Sequence, residues 1–136
     1  MWWIYALLSA LFASLTAILA KVGLKNIDSD LATAIRTIVI LVMTWGIVFY
    51  KGIPSTASMT KSNLAFLIMS GVATGLSWLF YFKALQIGNV SQVAPVDKLS
   101  VALTIVLSVL FLHESLTVKT MIGTGFIIGG IFLVIN

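Results

Sequence analysis

An aspartate and a lysine stand side by side in an otherwise apolar run, APVDKLSVALT at residues 94–104, and no further charge follows Lys98 until Glu114. Arg36 interrupts a second apolar run, and hydroxyl side chains recur at helical spacing in both of these and in a third. Charges in apolar surroundings either line a path for a polar solute or pair with one another inside a bundle. Neither a nucleophile–base pair nor a metal-ligating cluster is written in the chain, so no catalytic residue, metal site or cofactor is expected.

Length places the Asp97–Lys98 pair. The apolar stretch after it, Leu99 to Leu112, reaches only ~21 Å as a helix at 1.5 Å per residue. A bilayer core is ~30 Å thick. To span it the helix must begin near Val90 or Ser91, which draws the pair about ten ångströms inside. Adjacent helical residues point ~100° apart, so Asp97 and Lys98 are expected to face different neighbours. Asp97 joins a stripe with Ser100, Thr104 and Ser108, and Arg36 is its expected partner. Lys98 either meets a substrate carboxylate or snorkels towards the membrane edge. Pro95 removes an N–H from the start of this span, so an irregular, hydrated opening turn is expected there.

The elements that position these residues follow from composition. The 136-residue chain is 60% hydrophobic and 9% charged, with a mean hydropathy of +1.15. Soluble domains carry roughly 25% charged residues, so the chain is an integral membrane protein. Five apolar segments, about 2–20, 31–50, 63–85, 90–112 and 117–135, predict five transmembrane helices in one domain over 1–136. Helices are required because open strands leave backbone groups unsatisfied in lipid. The first segment lacks a basic leader region and is too long for a signal peptide, so it is expected to be a retained span with Trp2, Trp3 and Tyr5 at its interface. The loop at 51–62, with Pro54, is polar, whereas QIGNVS and HESLT are short turns. At the second of these, Ser115 or Thr117 is placed to cap the last helix, with His113 as a boundary residue. The net charge of +4 lies on few residues. No basic run with interleaved aromatics is present, so nucleic acid is not an expected partner.

Stripes recur within the spans. Ser70, Thr74, Ser77 and Tyr81 share one face of the third helix, beside Gly71, Gly75, Trp78 and Phe82. Thr33, Thr37 and Thr44 do the same on the second, one turn from Arg36. Such stripes either glue helices together or line a cavity, and several together with embedded charges favour a lined cavity. The expected substrate pathway comprises Arg36, Ser77, Trp78, Tyr81, Asp97, Lys98, Ser100 and Thr104. Gly71, Gly75, Gly125 and Gly129 are expected at helix or subunit packing surfaces.

Loop cations divide evenly between the two faces: Lys51, Lys61 and Lys119 on the side of the N-terminus, Lys21, Lys25 and Lys83 on the other. With almost no positive-inside bias, a unit that inserts both ways could assemble as an antiparallel homodimer. A fixed orientation that depends on loop context is the alternative.

The motifs YFKALQIGNVS, VAPVDKLS and LHESLT, with the glycine-rich closing helix, resemble the EamA domain of the drug/metabolite transporter superfamily; fainter echoes are ILAKVGLKNID and ATAIR. The likeness covers essentially the whole chain and is closest to the short five-span bacterial and archaeal type. It implies one half of an inverted repeat, with the third and fourth helices lining the central cavity of an assembled pair. Small multidrug exporters, a related branch, use a glutamate in the first helix, and the first segment here has no acid. The expectation is a secondary transporter that exports a small, amino-acid-like or anionic metabolite across the inner membrane of a prokaryote. Its partner would be a second copy or a homologous five-span chain. A non-transporting membrane subunit and a small multidrug-type exporter are the alternatives.

Overall fold

The computed structural model describes residues 1–53 and 59–135. Six helices follow in chain order: α1 (Trp2–Gly23), α2 (Ser29–Lys51), α3 (Lys61–Ile87), α4 (Val90–Asp97), α5 (Leu99–Leu112) and α6 (Val118–Ile135). No strand occurs among the described residues. Since α4 and α5 are two parts of one apolar span, Val90–Leu112, five spans are long and apolar enough to cross a membrane. The shortest, 18 residues, extends ~27 Å, which suits a hydrocarbon core ~30 Å thick. The chain is an all-helical, multi-pass membrane protein. Pro54 and its immediate neighbours lie outside the described residues.

Helix ends are set by local chemistry. Asp28 caps α2, its Oδ1 accepting from the Asp30 N–H at 2.9 Å and the Leu31 N–H at 3.1 Å. Asn26, in the turn before it, takes the left-handed conformation (φ 60°) that asparagine tolerates well. Thr117 caps α6, its Oγ1 accepting from the Thr120 N–H at 3.2 Å. His113 ends α5 with φ 55° and donates its N–H to the Ser108 carbonyl, a backbone boundary role as its position implies.

The fourth span departs from expectation. Its opening turns are helical from Val90, with the Gln92 and Val93 N–H groups on the Asn89 carbonyl at 3.0 and 2.9 Å. The irregularity lies instead at Lys98. There the Lys98 N–H reaches the Pro95 carbonyl (2.9 Å) and the Val101 N–H reaches the Lys98 carbonyl (3.0 Å), both tight i→i−3 bonds. Pro95 sits inside α4, where it withholds an N–H from the Ser91 carbonyl.

Two compact units divide the chain. One, Ile18–Gln86, holds the end of α1 with α2 and α3; Leu24, Phe82 and Leu85 are buried in it, as are Ser29 and Thr33. Its polar ties run to backbone: Lys21 Nζ donates to the Leu85 carbonyl at 2.6 Å, and Gln86 Nε2 to the Ile27 carbonyl at 2.8 Å. The C-terminal carbonyls of α3 thus receive a cation, as the helix dipole favours. In the other unit, Met1–Ala17 with Ile87–Asn136, α6 packs on both α4 and α5, and Ala17 and Ile131 are buried. Most large apolar side chains are exposed, including Phe111 and Leu133. In a membrane such side chains meet lipid or another protein surface.

Candidate functional site

Arg36 sits seven residues into α2, ~10 Å from its start. On α3, Trp78 and Phe82 are four residues apart and therefore on one face. The Arg36 guanidinium carbon lies over both rings, 4.5 Å from each centroid. Phe82 is buried, and Tyr81 meets its ring edge-on at 6.1 Å. The guanidinium Nη1 is buried and has no hydrogen-bond partner among the described residues. Among the described residues of this unit no carboxylate pairs with Arg36. Asp28 is spent on the α2 cap, and Asp30 accepts from the Ser29 hydroxyl at 3.5 Å. An arginine held by two rings with a buried N–H unpaired has hydrogen-bonding capacity that an anion could satisfy.

The threonines around it look after themselves. Thr33 Oγ1 donates to the Ser29 carbonyl at 2.8 Å, Thr37 to Thr33 at 2.7 Å and Thr44 to Ile40 at 2.8 Å. On α3, Thr74 Oγ1 donates to the Ser70 carbonyl at 2.9 Å, and on α5 Ser108 Oγ donates to Ile105 at 3.0 Å. These hydroxyls bond back within their own helices rather than across to neighbours. Their lone pairs remain available as acceptors.

Asp97 and Lys98 form an ion pair, Lys98 Nζ to Asp97 Oδ2 at 3.0 Å. This overturns the expectation that the two face different neighbours. The ~100° separation holds only in a continuous helix. The tight turn at Lys98, with φ −73° and ψ −4°, breaks that continuity. The pair lies where α4 passes to α5, with Ser100 and Thr104 exposed on the first turns of α5. Its side chains keep 56% (Lys98) and 34% (Asp97) of their surface, so the two charges largely compensate each other at an open position.

Other expected residues fall as follows. Ser77 is exposed and Tyr81 half-buried on the turns of α3 that carry Trp78 and Phe82. Gly71, Gly75, Gly125 and Gly129 face open space within the chain, since a Cβ at any of them would meet nothing within 4 Å. Two features escaped the sequence reading. One is the embrace of Arg36 by Trp78 and Phe82, whose signal was an i, i+4 aromatic pair in a chain with a single arginine. The other is the Lys21 tie to α3, which no local pattern marks.

The chain matches the EamA-like transporter family over residues 1–136. It is 47% identical over 133 residues to an uncharacterized transporter in the cobO 3′ region of a Sinorhizobium species, covering 97% of this chain and 94% of that one. It is also 39% identical over 84 residues to an uncharacterized protein of Methanocaldococcus jannaschii, covering 62% and 59% of the two chains. No solved structure matches the chain.

Proposed function

The chain belongs to the EamA-like transporter family, and from that premise we propose that it exports a small anionic or amino-acid-like metabolite across the cytoplasmic membrane of a prokaryote. The observation that carries this reading is Arg36, a cation embedded in α2 with a buried N–H unpaired. Intramembrane charges are costly and mark solute paths. The residues proposed for the pathway are Arg36, Ser77, Trp78, Tyr81, Asp97, Lys98, Ser100 and Thr104. Purified protein in proteoliposomes, loaded in turn with labelled amino acids, organic acids and cations, tests the proposal by substrate-dependent flux. Absence of flux for every member of the panel would remove it.

The working form is an antiparallel homodimer in which two inverted five-span units rock about a shared cavity. Support comes from the even split of loop lysines and from the open faces of Gly125 and Gly129. In membranes, helices associate where small residues allow close approach. Gly125→Leu with Gly129→Leu is therefore expected to shift the protein from dimer to monomer, read by chemical cross-linking in native membranes. An unchanged cross-linked band would place the interface elsewhere. Orientation has its own test: with Lys25→Cys and Lys51→Cys variants, dual topology predicts that an impermeant thiol reagent labels each position from both faces. Labelling of each from one face only would exclude it.

A further inference from the structure

Resting on the transporter reading, we infer that Arg36 is the anion-binding subsite of this protein and that its ligand is the carboxylate of a small organic anion. Both aromatic rings lie 4.5 Å from the same guanidinium carbon and so compensate the cation through their ring faces. What remains is its N–H edge, and on that edge Nη1 is buried without a partner. A carboxylate meets a guanidinium edge-on, in its plane, through two parallel N–H···O bonds. A carboxylate also brings one negative charge to one guanidinium, whereas a phosphate carries close to two at neutral pH, more than a single arginine compensates. The other embedded charges do not compete: Asp97 already pairs with Lys98 at 3.0 Å, so that pair brings no net charge, and Arg36 is the cation left for the substrate to neutralise. Phe82, buried at 2% exposure, holds its ring in the core of its unit and with it the guanidinium, which lessens the ordering left to a ligand.

The chain offers a clean probe, because Arg36 is its only arginine. Protein made with guanidino-15N-arginine and placed in phosphatidylcholine nanodiscs reports this one side chain by nuclear magnetic resonance. Sodium succinate or sodium glutamate is expected to shift the Nη resonances saturably. Sodium phosphate, tetraethylammonium chloride and the dimethyl ester of succinate should leave them in place. Trp78→Leu is expected to weaken the carboxylate response roughly tenfold while Arg36 remains present. Resonances unmoved by either carboxylate, or moved equally by the ester, would overturn the inference. So would a shift produced by phosphatidylglycerol in the disc and not by soluble carboxylate, which would make a lipid headgroup the ligand.

Flux separates this inference from the one beneath it. Saturable carboxylate binding without carboxylate flux would sink the transporter reading and leave the subsite standing. Robust flux of some solute, undiminished in Arg36→Gln, would keep the transporter and remove the subsite.

Discussion

Arg36→Leu is expected to lower carboxylate flux in proteoliposomes at least about a hundredfold while leaving the protein as heat-stable as before, or more so. The two effects have different origins. A carboxylate on the guanidinium edge makes two hydrogen bonds to a charged group, each contributing ~1.5–3 kcal/mol. At 1.4 kcal/mol per tenfold, losing both spans about two to four orders of magnitude. Stability runs the other way. Arg36 holds a buried N–H with no partner, and an unsatisfied buried donor costs about 1–3 kcal/mol, more for a charged group, which leucine does not incur. Against this stands the loss of two cation–π contacts, each ~0.5–2 kcal/mol. Arg36→Lys keeps the charge but not the planar fork, so its flux should fall between the two. A parallel loss of melting temperature and flux in Arg36→Leu would assign the residue a structural role only.

The second large effect is on stability. Leu85 is fully buried (0% exposed), packed in the unit whose core also holds Phe82 and Leu24. Leu85→Ala is expected to destabilise by about 2–3 kcal/mol, the lower part of the range for a buried leucine. The lower part applies because lipid, unlike water, does not penalise an exposed apolar side chain. The loss is then mainly that of packed contacts around the cavity. Its carbonyl also receives Lys21 Nζ at 2.6 Å, so any shift of this turn of α3 loosens the tie to α1 as well. The measurement is thermal unfolding in detergent, where a fall of several degrees is anticipated. Leu133→Ala, at a side chain 82% exposed, is the control and should melt as the parent does. Equal melting of both variants would show that the Leu24–Phe82–Leu85 cluster is not what holds this unit together.

These two residues also show how differently parts of the molecule could be read in advance. Composition and the length of apolar runs are sufficient for five spans, because each helix satisfies its own backbone and lipid demands nothing else of its surface. The cap at Thr117 and the boundary at His113 are equally local, involving only near neighbours in the chain. Arg36 stood out as well, since a lone arginine in an apolar run is conspicuous in one dimension.

What Arg36 touches was not. Its contact with Trp78 and Phe82 joins residues more than forty positions apart, and the Lys21 tie to Leu85 joins residues 64 apart. Several helix faces offered plausible partners, and helical spacing says which residues share a face, never which face another helix meets. The Asp97–Lys98 pair failed for the opposite reason. The spacing rule was sound for an unbroken helix, but the tight turn at Lys98 brought neighbours together that a regular helix would hold apart. The sequence by itself thus determined five membrane spans with embedded charges, through hydropathy and helix length, while its motifs pointed to a transporter family. Only the tertiary structure decided what those charges touch, because a local turn closes Asp97 on Lys98 and the meeting of distant helix faces sets Arg36 against Trp78 and Phe82.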